Sequence, residues 1–162
     1  MSRLPVFHGH ALTAIDFDGN TLWTRQLNNE TLDTECFCSS TLSVGSTGIY
    51  VEDNTVLQTP LGQFAHMSFI RKYDFGGNEI WTRFIPAWTA SNPIIGISSN
   101  PKGAYVAGDG LVQHLDPSGN EVWTLHTEGQ VLRTVSDSNR GIFVAGFPSI
   151  DRVCASTSCI HN

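Results

Sequence analysis

The sequence predicts an all-β protein built from four-stranded antiparallel meanders. The first observation is a nine-residue motif, Asp-x-x-Gly-Asn-x-x-Trp-Thr, that occurs three times without exception. The second is a Gly-x-aromatic-Val pattern that also recurs three times. The third is that apolar and polar residues alternate around both patterns, with no helical periodicity. Self-similarity at intervals of this size is typical of repeat architectures.

The nine-residue motif combines a turn with a tryptophan on the strand that follows. An Asp side chain accepts hydrogen bonds from backbone N–H groups two residues on, and Gly adopts a positive φ without steric cost. Alternating runs on both sides predict a β-hairpin. We expect each Trp to pack between stacked sheets, with ligand stacking as the alternative. The motif residues are Asp16, Gly19, Asn20 and Trp23, then Asp74, Gly77, Asn78 and Trp81, then Asp116, Gly119, Asn120 and Trp123.

The second pattern supplies the other strands of a repeating unit. It covers residues 48–53, 103–108 and 141–146, and each copy follows an apolar run and a polar turn. One full unit therefore reads strand, turn, Gly-x-aromatic-Val strand, loop, strand, Asp-x-x-Gly-Asn turn, Trp strand. Such a four-stranded antiparallel meander is the blade of a β-propeller.

These motifs resemble the SBBP-type β-propeller repeats of bacterial and archaeal surface proteins, and more loosely the PQQ-type propeller repeats. Residues 103–108 match the glycine-bounded strand of the former, and residues 115–124 match its Asp-Gly-Asn-Trp hairpin. The resemblance extends over nearly the whole chain, except for an insertion at 54–68 and the last dozen residues. It implies a propeller-type fold and leaves the activity open.

The repeats divide residues 1–162, predicted to be a single domain, into whole and half blades. The predicted parts are a half blade at 11–27, a blade at 41–85 with the 54–68 insertion, a blade at 94–127, a half blade at 131–147 and a Cys-containing tail at 148–162. These parts add up to about three blades, whereas closed propellers have about four to eight. Since the two halves are complementary, we expect the end blades to be split between neighbouring subunits. Such a head-to-tail contact gives a ring or a helical filament, and it removes strand edges that would otherwise promote aggregation.

Composition limits the classes of partner. The net charge of −6 and the presence of only two lysines, Lys72 and Lys102, argue against a nucleic-acid surface. No apolar run approaches the roughly 18 residues that a membrane-spanning helix needs, so no membrane span is expected. The first residues lack the apolar core of a signal peptide. Export would therefore be encoded elsewhere, or the protein is intracellular.

Four cysteines occur in two pairs, Cys36 with Cys38 and Cys154 with Cys159. An even number of cysteines in a chain rich in Ser and Thr favours disulfides and an oxidising compartment. A local Cys154–Cys159 bridge and a bridge between subunits both remain open. Buried free thiols are another interpretation, and a zinc site is a further one, although the ligand spacing is atypical for zinc.

No catalytic or cofactor-binding motif is present, so no enzymatic activity, cofactor or metal is expected. Residues 16–20 resemble a calcium loop only superficially, because the further ligands of such a loop are missing. The pair His8 and His10 lacks a third ligand nearby. We interpret all six histidines as ordinary strand or loop residues.

The sequence thus predicts a structural protein that assembles with itself into an extracellular or cell-surface filament, or into a ring. The alternative is a lectin- or adhesin-like propeller that binds a glycan or a protein through its loops. Trp88 would then be a ligand or interface aromatic, since it falls outside the repeat. A quinone-dependent dehydrogenase is a third hypothesis, which needs cofactor-binding residues and a longer chain.

Overall fold

A computed structural model describes residues 11–27, 40–58, 64–86, 94, 96–137 and 141–147. All regular secondary structure in these ranges is β-strand, and every pair of neighbouring strands is antiparallel. The predicted all-β class is therefore confirmed. Nowhere in the described ranges is there a helix of the length and apolarity needed to cross a bilayer.

Ten strands form three small sheets. The strands are β1 (Ala11–Ile15), β2 (Thr21–Gln26), β3 (Ser40–Gly45), β4 (Gly48–Gln58), β5 (Phe64–Tyr73), β6 (Glu79–Pro86), β7 (Gly96–Asn100), β8 (Gly103–Leu115), β9 (Glu121–Asp137) and β10 (Gly141–Phe147). Strands β1 and β2 form a two-stranded sheet, β3 to β6 a four-stranded sheet, and β7 to β10 another four-stranded sheet. Each strand pairs with its neighbour in sequence, so every sheet is a meander.

The insertion at 54–68 extends the hairpin of β4 and β5. Pairing between these strands continues from Ile49↔Tyr73 to Gln58↔Phe64. The sequence alone left open whether this segment forms a long loop or an extra strand. In the structure its described parts, 54–58 and 64–68, lengthen β4 and β5.

Strand β8 reverses direction within its own length. A straight strand of 13 residues would hold its ends about 40 Å apart, yet a Cβ on Gly103 would lie 1.9 Å from the carbonyl oxygen of Leu115. The reversal falls at Asp109-Gly110, where Gly110 has a φ of 77°, and Asp-Gly is a favoured two-residue hairpin turn. Tyr105 and His114 consequently stack across the hairpin with ring centroids 4.4 Å apart. The first half of β8 pairs with β7, and the second half pairs with β9.

The core consists of three apolar clusters, each formed between successive parts of the chain. The first cluster lies between β1–β2 and the β3–β6 sheet and contains Leu12, Leu27, Ile49, Val51 and Tyr73, with Trp23 against it. The second lies between the two four-stranded sheets and contains Tyr50, Ile70, Ile85, Ile94, Ile97, Ala104, Val106 and Leu115, with Trp81 against it. The third lies between β8 and the β9–β10 hairpin and contains Ala107, Val112 and Val131, with Trp123, Leu125, Ile142 and Val144 against it.

Strand alternation explains how one sheet serves two clusters. Successive side chains of a strand point to opposite faces, so Ile49 and Val51 enter the first cluster while Tyr50 enters the second. The first strand of each unit also lies beside the first strand of the next unit. Ser43 Oγ is 2.8 Å from Ser99 Oγ, and Asn100 Nδ2 donates to the Asp137 carbonyl oxygen at 3.3 Å. The described units therefore stack face to face in chain order.

Candidate interaction surface

The three Asp-x-x-Gly-Asn turns are nearly identical in structure. In the third turn, the Asp116 amide donates to the Asn120 carbonyl oxygen at 2.8 Å, and the Gly119 amide donates to the Asp116 carbonyl oxygen at 3.0 Å. The Asp116 carboxylate accepts from the Ser118 and Asn120 amides at 2.8 and 2.9 Å. The turns at Asp16 and Asp74 repeat both backbone bonds within a few tenths of an ångström. The motif thus encodes one rigid turn three times.

These hydrogen bonds stabilise the ionised form of each turn aspartate. Its pKa is lowered at Asp16 and Asp74, chiefly because the Asn side-chain amide at the end of the turn donates to the carboxylate. The pKa of Asp116 is lowered as well, and there the backbone amide of Asn120 is the main cause. Each carboxylate is solvent-exposed and acts locally, as the ordering group of its own turn.

Trp23 and Arg25 join the first hairpin to the turn of the next unit. The Trp23 indole Nε1 donates to the Phe75 carbonyl oxygen at 3.1 Å, and Arg25 Nε donates to the Gly77 carbonyl oxygen at 2.7 Å. A Cβ on Gly77 would lie only 2.7 Å from the Trp23 ring. Gly77 is therefore required both by its φ of 79° and by the tryptophan that covers it.

The same three-part contact recurs between the two four-stranded sheets. Trp81 Nε1 donates to the Pro117 carbonyl oxygen at 3.0 Å, and Arg83 Nη1 donates to the Gly119 carbonyl oxygen at 2.8 Å. A Cβ on Gly119 would lie 2.9 Å from the Trp81 ring. We call this contact, made by a Trp and an Arg of one unit with the Gly-containing turn of the next, the Trp–Gly joint.

The third tryptophan and the first turn form no such joint within the described part of the chain. Trp123 is half-buried against Tyr105 and His114, and no described carbonyl accepts from its Nε1. The Gly19 turn has no counterpart either, since nothing lies within 4 Å of a Cβ placed on Gly19. The described repeats thus begin with a Gly-containing turn that no Trp covers, and they end with a Trp that covers no turn.

The residue before each turn aspartate shows the same asymmetry. Tyr73 and Leu115 are 3% and 0% exposed, because each packs beside the Trp of the preceding unit. Ile15 occupies the matching position in the first hairpin and is 61% exposed. Exposure of a large aliphatic side chain at a position that is buried in both other repeats indicates an uncovered contact surface.

The aromatic residue of the Gly-x-aromatic-Val strand is uncovered at the other end. Tyr50 packs edge-on against Trp81 with a centroid distance of 6.0 Å, and Tyr105 lies 6.1 Å from Trp123. Each pair joins a unit's second strand to its own Trp strand. The third copy, Phe143, is 71% exposed. It pairs with Val135 in the second half of β9, and no Trp is paired on its other side among the described strands.

A half-open cavity of about 310 Å³ lies along the second Trp–Gly joint. Its polar wall is a hydrogen-bonded group in which Gln113 Nε2 donates to Glu121 Oε2 at 2.9 Å and to Thr124 Oγ1 at 2.8 Å. Arg83 forms an ion pair with Glu121 at 3.4 Å. The exposed ring of Phe84 adds an aromatic surface. The cavity thus combines fixed polar groups with one aromatic face.

The remaining sequence-derived candidates fall outside the described residues: Cys36, Cys38, Trp88, Cys154 and Cys159. In the described ranges there is no group of three or more His, Cys, Asp or Glu side chains suited to a metal ion. Sequence reasoning missed the joint arginines. Their signal was present, because Trp-Thr-Arg occurs at Arg25 and Arg83, whereas Leu125 follows the third Trp-Thr.

Comparison with known proteins places the chain in no family. No protein-family model matches it, and no curated protein is significantly similar to it. The function is therefore argued from the geometry of the repeats.

Proposed function

We propose that the chain is a structural β-propeller-repeat protein that assembles with itself head-to-tail. In this proposal the β3–β6 sheet is one complete blade. A second complete blade consists of β7, the two halves of β8 and the first half of β9. The β1–β2 and β9–β10 hairpins are the two halves of a further blade, shared between subunits. The product is an extracellular or cell-surface filament, or a closed ring. Its repeats are of the SBBP type.

The observation that carries the proposal is the exposure of Ile15. Both equivalent residues are buried, and full burial of an aliphatic side chain stabilises by about 1.5–3 kcal/mol. The missing neighbours of Ile15 are those that the third cluster provides, Trp123 and Val144, because their equivalents Trp23 and Val51 surround Tyr73. In this proposal a second copy of the chain supplies these neighbours.

The pairing of β4 with β5 defines the register of the shared blade. In that sheet Ile49 pairs with Tyr73. Applying the same register to the half blades pairs Ile142 of one subunit with Ile15 of the next. Among the described strands β10 is an edge strand and β1 has one neighbour, β2, so each has an edge with no described partner that this pairing would use. Edge pairing between copies is a common route to assembly.

The experiment is to measure assembly of the full chain with one charged substitution inside the proposed interface and one outside it. Ile15→Asp should abolish assembly, because it places a carboxylate in an apolar cluster. Val122→Asp is the matched control, since Val122 is exposed and the equivalent residues Leu22 and Ile80 are exposed too. Light scattering over a concentration series measures size, and electron microscopy distinguishes filaments from rings. A wild-type chain that stays monomeric at every concentration contradicts the proposal.

A second candidate function rests on the cavity beside Phe84. Oriented polar groups next to an aromatic face suit a polar ring such as a saccharide. With this binding site the chain would be the lectin- or adhesin-like protein of the alternative hypothesis. Binding to a glycan array that is lost in Phe84→Ala, and retained in the exposed control Phe75→Ala, would support it. An array without binding to the wild-type chain argues against it.

A further inference from the structure

We infer that the contact between subunits is a third Trp–Gly joint, in which the turn at Gly19 of a second copy of this chain covers Trp123. The inference rests on the proposed self-assembly and specifies the residues that carry it. The occupant is a second copy because the only described turn of this type that lacks a tryptophan partner is the one at residues 16–20. The position that needs such a turn is Trp123.

The strand register and the two observed joints together lead to this placement. Extending the β4–β5 register to β10 and β1 of a second copy forms a shared blade next to β8. Its four strands are the second half of β9, β10, and β1 and β2 of the second copy. In both observed cases, the turn of the following sheet is the one that covers the preceding Trp, as for Trp23 on Gly77 and Trp81 on Gly119. The shared sheet therefore brings Gly19 of the second copy to Trp123. Trp123 Nε1 would then donate to the Phe17 carbonyl oxygen, as Trp23 Nε1 does to that of Phe75.

The third joint differs from the internal joints in one residue. Leu125 stands where Arg25 and Arg83 donate to the carbonyl oxygen of the covered glycine. The contact between subunits therefore lacks the charged hydrogen bond of the internal joints. Apart from the strand pairing of the shared blade, it is held by apolar contact and one indole hydrogen bond, so its strength should depend weakly on salt.

Complementation between two variants tests the joint. Gly19→Asn keeps the turn, because Asn tolerates a positive φ, but its side chain would occupy the place of the Trp123 ring. Trp123→Ala removes the ring itself. Each variant alone should associate at least tenfold more weakly than wild type. Trp123→Ala keeps an intact turn and Gly19→Asn keeps an intact tryptophan, so a mixture should form heterodimers that do not grow further. Analytical ultracentrifugation distinguishes the species.

Leu125→Arg provides a gain-of-function test in the same joint. It restores the residue found in both internal joints, so the Kd for self-association should fall about tenfold, which corresponds to about 1.4 kcal/mol. Leu125→Ala is the control, since it removes the apolar side chain without adding a donor and should not tighten association.

The outcomes separate the two proposals. Assembly by wild type that is unchanged in Gly19→Asn and in Trp123→Ala, with circular dichroism showing that both are folded, overturns the joint and leaves self-assembly in place. A mixture of the two variants that grows to large assemblies, or that stays monomeric, also overturns it. A monomeric wild type overturns both. Should Trp123→Ala fail to fold, Gly19→Asn and Leu125→Arg still decide the question.

Discussion

The indole ring of Trp81 packs against the backbone of Gly119, in the turn of the following unit. Trp23 and Gly77 form the equivalent pair in the preceding unit.

 The contact is the same in both places, although 42 positions separate Gly77 from Gly119 and 58 separate Trp23 from Trp81. Strand pairing joins neither Trp to its Gly. Gly119 therefore has two roles: it adopts the positive φ of the turn, and it leaves room for the Trp81 ring. Substitutions can separate these two roles.

Gly119→Ala should destabilise the chain more than Gly110→Ala. Both residues have a positive φ, so alanine strains the backbone at either position by roughly 1–2 kcal/mol. Only at Gly119 does the new Cβ also meet an indole ring, and overpacking adds about 1–3 kcal/mol. Urea denaturation followed by circular dichroism gives both free energies of unfolding. Equal losses for the two variants would show that Trp81 does not constrain Gly119.

Arg83→Leu should lower the free energy of unfolding by roughly 1.5–3 kcal/mol, since it removes a charged hydrogen bond to the Gly119 carbonyl oxygen. The exposed ion pair with Glu121 adds at most about 1 kcal/mol. Arg83→Lys keeps the positive charge but not the planar donor group, so its loss should be intermediate. An unchanged denaturation midpoint in Arg83→Leu would show that Arg83 does not stabilise the joint.

Glu52 should make the chain less stable as the pH rises. Burial and, secondly, the neighbouring charge of Asp53 together raise the pKa of Glu52 to about 8. The unfolded chain loses this proton near its ordinary value of 4.5, so between these two values the folded state holds more protons. Stability therefore falls as the pH rises from about 4.5 to about 8, and is level above that.

Glu52→Gln provides the test of this pH dependence. A glutamine keeps the size of the side chain and cannot ionise, so the slope of stability against pH should become smaller over the same range. Thermal unfolding at a series of pH values measures it. The wild-type loss should be on the order of a few kcal/mol. A wild-type profile that is flat, or that rises with pH, would show that Glu52 is ionised in the folded chain.

The turn aspartates should act in the opposite direction and at lower pH. Their pKa values are lowered by hydrogen bonds within the turns, so their contribution is present above the ordinary value of 3.8 and is lost as the pH falls through the lower folded pKa. Replacing Asp16, Asp74 and Asp116 together by Asn should weaken the acid transition measured by fluorescence. The same transition in wild type and in the triple variant would exclude the turns as its origin.

The parts of the fold that sequence reasoning anticipated are those encoded locally. An Asp-x-x-Gly-Asn turn is determined by its own side chain and one positive φ, so the hairpins could be read from the motif, and strand alternation indicated the all-β class. The short loop expected after the Gly-x-aromatic-Val strand falls at Asp109-Gly110 in the second blade.

What the sequence did not reveal depends on contacts between units. Trp23 was expected between sheets, but its glycine partner is 54 positions away (77 − 23), and no local pattern identifies it. Glu52 is similar. The other two copies of its strand have Ala at this position, and only the packing of the folded chain shows that the carboxyl group is buried. Arg25 and Arg83 could have been found by aligning the residue after each Trp-Thr.

Because each Trp–Gly joint takes one component from either neighbour, no repeat is self-sufficient in its packing. Loss of order in one unit uncovers the tryptophan or the glycine turn of the next, so melting should spread along the chain. In repeat proteins of this kind the coupling between neighbours determines cooperativity. A heat-denaturation profile with a single sharp endotherm is therefore the expected thermal behaviour of this molecule.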